Sequence, residues 1–339
     1  MPETHQVITV LLCGYGAFGH QHAMAWRKAA PCARLLVADP DTSAQAAARE
    51  FGISKADVTD QAATFMEHAD IVDIVTPVHE HHPLARSALL AGKPVIIEKP
   101  AVKTLTEAKD LAALAKNTDL PVQVQFVLRA HPLIQRARAL VDEGRIGRLF
   151  AMDAVFTGWK RMRADANLLE NDGVHMLDLM RFFSGTSPNK MTVTGDRLLR
   201  GPVPDTIHVR LDYPEGIKGY LRVGITLGGT QPDAYLAGSI TTKTFMLIGD
   251  EGSISIDLNT DKLVFTEVTY RPTEGGYTPE IGNINREDAP ELSPAALLSV
   301  CFRRFLSAVD GGAAVLCDLE AGAVEITRLL HQAREDLNV

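Results

Sequence analysis

Residues Val7–Gly19 read VITVLLCGYGAFG, and this stretch decides the fold of the first part of the chain. The apolar run Val7–Cys13 is short and rich in β-branched residues, as expected of a buried parallel strand. Its end carries the pattern Gly14-x-Gly16-x-x-Gly19, and a helix-compatible segment follows. Gly14 allows a tight turn, Gly16 lets the backbone approach a pyrophosphate, and Gly19 lets the helix pack against the strand. The stretch therefore predicts a strand–turn–helix unit that binds a dinucleotide at the helix N-terminus.

An acidic residue about 20 positions beyond the glycines supports the same interpretation. Asp39 closes a second apolar strand, predicted over 34–39. A carboxylate at this position accepts hydrogen bonds from both hydroxyls of an adenosine ribose and repels a 2′-phosphate. Because Pro40 and Asp41 offer no cation for a phosphate, we expect NAD rather than NADP. An ordinary glycine-rich turn followed by a chance acid is the alternative.

Length and composition are those of a globular enzyme with two domains. The chain has 339 residues, of which 46% are hydrophobic and 22% charged. A formal net charge of −8 argues against nucleic acid as the main partner. The first residues lack a basic segment and a long apolar run, so we expect neither a signal peptide nor a membrane span. Four cysteines without CxxC pairing favour free thiols and a cytoplasmic location.

Strand and helix patterns alternate over the first part of the chain. The predicted strands cover 7–13, 34–39, 71–76, 94–98 and 121–127. The predicted helices cover 17–30, 42–51, 80–91 and 104–118. That order predicts an α/β fold with a doubly wound parallel sheet, which we assign to a dinucleotide-binding domain at residues 1–125.

The pattern changes from about Arg148 to seven strand-like runs with few helices between them. Residues 207–213 alternate between apolar and polar, as in a sheet with one buried face. Residues 126–339 are therefore predicted as an α+β domain with a large open, mostly antiparallel sheet. Its helices are predicted at about 172–184, 294–310 and 319–336, and the last two could pack back on the first domain. An open sheet needs its apolar face and edges covered, so we also expect a second subunit.

Two predicted strands end in turns that carry candidate functional residues. One strand ends in Thr76-Pro77, and another ends in Glu98-Lys99-Pro100. In doubly wound sheets this edge faces the ligand crevice, so Lys99 is expected near the nicotinamide. A lysine there donates a hydrogen bond to a substrate oxygen or exchanges a proton with a hydroxyl. A solvated lysine before a turn proline is the alternative, and position alone does not decide between them.

A second candidate cluster reads NDGVHMLD over 171–178. His175 and Asp178 are three residues apart on a predicted helix and so share one face, where a carboxylate could serve an imidazole. From the residues alone, a helix cap with a surface histidine is the stronger interpretation. Upstream lie one aromatic and three basic residues that either contact substrate or form a solvated loop: Trp159, Lys160, Arg161 and Arg163.

Three histidines lie close together after Pro77, at positions 79, 81 and 82. Such a cluster invites a metal interpretation, but no cysteine or well-spaced acid nearby completes a site, so we expect no metal. One of these histidines is instead expected to line the cofactor cleft, with the others at the surface.

Together these motifs resemble the Gfo/Idh/MocA oxidoreductase family over about residues 6–335. The motifs that carry the resemblance are, in order, Gly14-x-Gly16-x-x-Gly19, Asp39, Thr76-Pro77 with His81, Ala91-Gly92-Lys93, Glu98-Lys99-Pro100, Arg129 with Pro132, Gly144-x-Ile146-Gly147, and Gly173-x-His175-x-x-Asp178. The family implies a Rossmann domain followed by a domain with a large open sheet. Its members are often dimers or tetramers joined through that sheet, so a homodimer or homotetramer is expected.

The resemblance also implies roles for particular residues. Lys99 would hydrogen-bond the reacting hydroxyl, next to a Lys–Pro bond that is often cis, and His175 would accept or donate the proton. The substrate-binding residues would be Arg129, Trp159, Asn171 and Asp172. The cofactor-binding residues would be Gly14, Tyr15, Gly16, Ala17, Phe18, Gly19, Asp39, Thr76, Pro77, His81, Glu98 and Lys99.

One position departs from the family pattern. Many sugar and polyol dehydrogenases of the family carry aspartate four residues before the histidine, where this chain has Asn171. Asparagine still hydrogen-bonds a hydroxyl, but it carries no charge and cannot take a proton. His175 therefore lacks the expected acid unless Asp172 or Asp178 substitutes for it.

The expected function is an NAD(P)-dependent oxidoreductase that acts on a secondary alcohol or ketone of a sugar, polyol or similar small molecule. One alternative is an NAD-dependent enzyme that cleaves glycosides through transient oxidation. Another is a non-catalytic protein that senses NAD(H), although a sensor needs neither Lys99 nor His175.

Overall fold

The computed structural model describes residues 7–161, 167–233, 238–290 and 292–338. Two compact units divide the chain: one runs up to Ala130 and includes Leu292–Thr327, and the other comprises the remainder. The predicted cut between residues 125 and 126 stays a prediction. Arg163, named above as a possible substrate contact, lies outside the described residues. Among those residues, no helix combines the length and the apolar character needed to cross a bilayer.

The first unit contains a parallel sheet flanked by helices. Its strands are β1 (Thr9–Cys13), β2 (Arg34–Ala38), β3 (Val58–Thr59), β4 (Ile71–Ile74), β5 (Val95–Glu98) and β6 (Val122–Gln125). Its helices in this part of the chain are α1 (Ala17–Ala29), α2 (Thr42–Glu50), α3 (His81–Leu90) and α4 (Leu105–Thr118). The strand order is β3-β2-β1-β4-β5-β6, which is that of a Rossmann fold. The predicted doubly wound sheet is therefore confirmed.

Local sequence explains these elements well. After Thr9, the four remaining residues of β1 are apolar and buried, as a central parallel strand requires. Asp41 begins α2 by accepting a hydrogen bond from the backbone N–H of Ser43. Thr104 and Glu107 form a capping box at the start of α4.

The second unit is built on a mixed sheet. Its elements are α5 (Pro132–Asp142), β7 (Leu149–Trp159), α6 (Val174–Ser184), β8 (Lys190–Asp196), β9 (Thr206–Asp212), β10 (Lys218–Gly224), β11 (Gln231–Pro232), β12 (Ile240–Gly249), β13 (Gly252–Asp257), β14 (Lys262–Thr273) and β15 (Gly276–Asp288). The order is β15-β14-β13-β12-β7-β10-β9-β8, with β11 on β12. β10 pairs with β7 in parallel, and the other described pairings are antiparallel. The predicted open, mostly antiparallel sheet is confirmed.

Two helices complete the chain, α7 (Pro294–Val309) and α8 (Ile326–Leu337). α7 belongs to the first unit, where the ring of Phe302 stacks on Trp26 of α1 with 4.4 Å between centroids. A π-helical turn, Glu320–Glu325, replaces the first part of the helix predicted over 319–336. Strand β15 was not predicted, because its residues are exposed on both faces and so show no apolar alternation.

Candidate active site

The glycine turn after β1 has the geometry that the motif predicts. Gly14 has φ +94°, and a Cβ there would lie 2.9 Å from the carbonyl carbon and oxygen of Val75. A Cβ on Gly19 would collide with the carbonyl oxygen of Gly14, so helix and turn meet only because both residues are glycine. A Cβ on Gly16 would meet no other group within 4 Å, in contrast to the crowding at Gly14 and Gly19. The backbone at Gly16 is therefore open to an approaching ligand.

The N-terminus of α1 fits a phosphate group. Gly16 is its N-cap and has no side chain to accept a hydrogen bond from the first-turn N–H groups. Ala17 and Phe18 are exposed there. Free N–H donors and the positive end of the helix dipole are what a pyrophosphate needs. The turn therefore fits the pyrophosphate of a dinucleotide.

Tyr15 contributes to this turn through its backbone. Its side chain is buried, and burial raises the pKa of its phenol to about 12, although nearby Arg27 acts in the opposite direction. Its N–H donates a 2.6 Å hydrogen bond to Asp39 Oδ2. The backbone of Tyr15 therefore fixes Asp39, and a role for Tyr15 in cofactor binding stays a prediction.

Asp39 follows β2 and is held in one orientation. Its Oδ1 accepts a 2.8 Å hydrogen bond from the N–H of Asp41, while Oδ2 accepts the bond from Tyr15. Each carboxylate oxygen has a further lone pair that can accept another donor. Because β1 and β2 are parallel neighbours, Asp39 and the glycine turn lie at the same edge of the sheet. This arrangement suits a ribose with two adjacent hydroxyls.

The turns after β4 and β5 lie at that edge as well. β4 is the neighbour of β1 on the side where the strand order reverses, which is where ligands bind in such sheets. The Thr76 hydroxyl after β4 is buried and has no hydrogen-bond partner in the described part of the chain. Lys99 directly follows β5, is half-buried, and precedes Pro100 through a cis peptide bond. The unsatisfied hydroxyl and the lysine are both placed to meet a ligand.

His81 braces these two turns. Its Nε2 lies 2.8 Å from the carbonyl oxygen of Thr76, and its Nδ1 lies 3.1 Å from that of Pro100. Burial lowers the pKa of His81, while the hydrogen bond to Thr76 opposes this shift. Both ring nitrogens thus lie against backbone carbonyl oxygens, and a neutral imidazole can donate a hydrogen bond to one of them, so these contacts favour a structural role over the predicted direct contact with the cofactor.

The other two histidines of this cluster point to different partners. His79 is exposed and pairs with Glu80, and His82 lies 2.8 Å from Asp110. Within the described segments, no group of three or more histidine, cysteine or acidic side chains is arranged to hold a metal.

In the second unit, the residues before His175 form a buried ion pair. Lys160 Nζ lies 2.6 Å from Asp172 Oδ2, and both side chains are at most 5% exposed. Asn171 Nδ2 donates to Asp172 Oδ1 at 3.1 Å. Asp172 is therefore held through both of its oxygens by Lys160 and Asn171, and a role for it as the proton acceptor in place of the family's aspartate stays a prediction.

His175 lies in the first turn of α6 and is half-buried, while Asp178 one turn later is fully buried. The helix starts after a π-helical turn, Leu169–Gly173. A Cβ on Gly173 would lie 2.7 Å from a terminal side-chain carbon of Leu169, so a larger residue at this position would require Leu169 to move. The helix thereby presents His175 at its N-terminal end.

Two buried lysines flank the ring of Phe156 in this unit. Lys160 Nζ lies 3.9 Å and Lys243 Nζ lies 4.8 Å from the ring centroid. Lys243 also pairs with buried Asp233 at 2.7 Å. Burial lowers the pKa of Lys243, and Asp233 opposes that shift. Sequence analysis missed Lys243 and Asp233, because nothing in their local pattern distinguishes them from ordinary strand and loop residues.

Two predicted substrate-binding residues have contrasting surroundings. Trp159 is 58% exposed at the end of β7 and is accessible to a ligand. Arg129 is buried in the first unit, and its Nη1 donates a 2.8 Å hydrogen bond to the carbonyl oxygen of Leu316. That contact favours a structural role for Arg129.

Comparison with known proteins identifies the family. Residues 8–126 match a family described as "Oxidoreductase family, NAD-binding Rossmann fold", and residues 134–255 match the GFO/IDH/MocA C-terminal domain. The chain belongs to the Gfo/Idh/MocA oxidoreductase family. Its first unit carries the NAD-binding Rossmann fold of that family, as the glycine motif predicts.

Individual relatives of this chain share about a third of its residues over the matched segments. A D-apiose dehydrogenase of Paraburkholderia graminis is 32% identical over 51% of this chain and 49% of its own length. A D-apiose dehydrogenase of Rhizobium rhizogenes is 30% identical over 65% of this chain and 66% of its own. The chain thus spans about half to two thirds of the length of these curated relatives.

A solved structure supports the fold over nearly the whole chain. An oxidoreductase from Agrobacterium radiobacter, in complex with NAD+, L-tartaric acid and magnesium, superimposes with a TM-score of 0.81. It covers 98% of this chain and 97% of that chain at 21% identity. At this identity the likeness concerns the fold alone.

Proposed function

We propose that this protein is an NAD-dependent oxidoreductase that oxidises a secondary alcohol, or reduces the corresponding ketone, of a sugar or polyol. The observation that carries the proposal is the position of Lys99. It directly follows β5, at the sheet edge that also holds the glycine turn and Asp39. A lysine is thus presented on the edge where a dinucleotide fits, as a dehydrogenase requires.

The roles of the residues follow from what alcohol oxidation needs. The cofactor, when bound, supplies the hydride acceptor. Lys99 donates a hydrogen bond to the substrate oxygen, and His175 accepts the proton that the hydroxyl loses. Asp172 is assigned a structural role instead, because the buried ion pair with Lys160 holds it. Asn171 and exposed Trp159 remain proposed substrate contacts.

NAD rather than NADP is the proposed cofactor. The carboxylate of Asp39 would repel a 2′-phosphate. Its orientation is fixed by two backbone N–H groups, so it cannot readily turn away from such a group. The proposed substrate class draws on the D-apiose dehydrogenases described above, and sugars and polyols share the adjacent hydroxyls that such a site would bind.

A homodimer or homotetramer is the proposed assembly. One face of the second sheet presents the side chains of Tyr220 and Met246, which occupy one row across β10, β7 and β12 and are partly exposed. Light scattering after size exclusion tests this proposal, and a monomer at micromolar concentration would contradict it.

The experiment that tests the function measures absorbance of NADH with purified protein, NAD and a panel of aldoses including apiose, inositols, sugar acids and amino polyols. We expect a rise with one class of substrate and a much slower rise with NADP. Lys99→Ala serves as the matched control for contaminating dehydrogenases. Release of a free sugar without net NADH, with NAD retained through desalting, would instead indicate the glycoside-cleaving reaction. Binding of NAD without any turnover would favour a sensor.

A further inference from the structure

A hydrogen-bonded network is buried in the first unit directly below the turn that carries Lys99. Its centre is His22 of α1, which is fully buried. His22 Nδ1 lies 2.9 Å from Asp73 Oδ2, and His22 Nε2 lies 3.2 Å from Glu98 Oε1. Trp26 Nε1 donates a 2.7 Å hydrogen bond to the same oxygen of Asp73. The network thus links α1 to the ends of β4 and β5.

His22 is a cation in this network. Both ring nitrogens face carboxyl oxygens, and because ionised carboxylates only accept hydrogen bonds, a ring protonated on both nitrogens satisfies both contacts. Burial alone lowers the pKa of His22, but Asp73 and Glu98 outweigh it and raise the pKa to about 10. One buried positive charge is therefore shared between two carboxylates.

Glu98 transmits this arrangement to the candidate catalytic residue. One of its oxygens contacts His22, and the other accepts a 3.0 Å hydrogen bond from the backbone N–H of Lys99. With both oxygens engaged, the carboxylate has a single orientation. The backbone from which the Lys99 side chain departs is held by that carboxylate. Because a hydrogen bond from an N–H group to a carboxylate is directional and strong, a displacement of Glu98 would displace the backbone of Lys99.

We propose that His22 is a positioning residue for the reaction: by orienting Glu98, it sets the place at which Lys99 meets the substrate oxygen. This inference rests on the proposed function of Lys99. His22 touches neither substrate nor cofactor in this role. It acts only through the carboxylate of Glu98, which lies between His22 and the backbone of Lys99.

Two substitutions separate this role from a structural one. In His22→Gln the side-chain amide takes the place of Nε2 and still reaches Glu98. In His22→Asn the amide takes the place of Nδ1 and reaches only Asp73. Because a misplacement of about 1 Å can cost about 10²-fold in rate, we expect kcat to fall by that order in His22→Asn and by less than about fivefold in His22→Gln. The KM for NAD should change little in either variant.

Trp26→Phe is the matched control. It removes another hydrogen bond to Asp73 and leaves the contact between His22 and Glu98 in place. We expect it to lower the melting temperature and to leave kcat unchanged. Equal kcat in His22→Asn and His22→Gln would overturn the proposal. A decrease of kcat in Trp26→Phe as large as that in His22→Asn would overturn it as well.

A second readout does not depend on turnover. Lysine amines labelled by reductive ¹³C-methylation give separate NMR signals, and Lys99→Arg identifies the signal of Lys99. We expect this signal to move in His22→Asn and to stay near its wild-type position in His22→Gln. An unchanged signal in both variants would refute the positioning role. If the wild-type protein oxidised no substrate, the proposed function would fail, but this measurement would still decide whether His22 sets the environment of Lys99.

Discussion

Replacement of Asp39 by alanine should weaken NAD binding by about two orders of magnitude. Two ribose hydroxyls would lose a charged acceptor, and hydrogen bonds to charged groups contribute about 1.5–3 kcal/mol each. Water satisfies part of this loss at a site on the sheet edge, so we expect a net cost of about 2–3 kcal/mol. That corresponds to about 30- to 150-fold in Kd.

The Asp39→Ala substitution also destabilises the fold, and the assay must distinguish this effect from the loss of ribose binding. Asp39 also accepts hydrogen bonds from the N–H groups of Tyr15 and Asp41. Their loss destabilises the turn itself, by about 1–3 kcal/mol for a buried donor left without a partner. Asp41→Ala is the matched control, because it removes the N-cap of α2 at a cost of about 1 kcal/mol and leaves the Asp39 carboxylate in place.

Isothermal titration of NAD and NADP, well below the melting temperature of each variant, distinguishes these effects. We expect a large loss of NAD affinity in Asp39→Ala, little loss in Asp41→Ala, and a higher ratio of NADP to NAD affinity in Asp39→Asn. Wild-type NAD affinity in Asp39→Ala would refute the ribose assignment. An equal loss in Asp41→Ala would show that the turn, and not the carboxylate, determines binding.

Four further outcomes are expected. Lys99→Ala should lower turnover by about 10²-fold or more, the scale of general acid–base catalysis, with NAD affinity largely retained; unchanged turnover would remove Lys99 from the mechanism. His175→Gln should lower turnover by a similar factor and remove one limb of the pH–rate profile, and a profile identical to wild type would contradict its role in proton transfer. The free energy of unfolding should fall as the pH rises from about 7 to 10, because folded His22 holds its proton up to about 10 whereas an unfolded histidine loses it near 6.5; chemical denaturation should show a shallower slope in His22→Gln. Lys160→Met should leave buried Asp172 without its cation and cost about 3–5 kcal/mol, so a melting temperature equal to wild type would argue against the ion pair.

The first domain could be predicted because its determinants are local. A short apolar strand, glycines at fixed spacing and an acid after the next strand are all visible within Val7–Asp39, and the structure shows each in the expected place. The open sheet could be predicted for the same reason, because the alternation of apolar and polar residues is also a local pattern. β15 could not be predicted because its exposed residues carry no burial pattern, and β3 could not be predicted because it has only two residues.

The side-chain networks of the candidate site could not be predicted in this way. His22 meets Asp73 and Glu98 across 51 and 76 residues of sequence, and only the packing of α1 on the sheet brings them together. Local sequence likewise left Asp172 as a possible base beside His175. The structure instead pairs it with Lys160, whose partner no spacing rule indicates.

Each unit contains a buried cation that pairs with a carboxylate lying one or three residues before a candidate catalytic residue. In the first, the buried cation His22 orients Glu98, the residue before Lys99. In the second, buried Lys160 orients Asp172, three residues before His175. Buried ion pairs are poor stabilisers compared with apolar packing, but breaking one by removing a single partner is costly. Substitution of either cation should therefore lower stability. Substitution of half-buried Lys99 or His175 should lower activity with much less effect on stability.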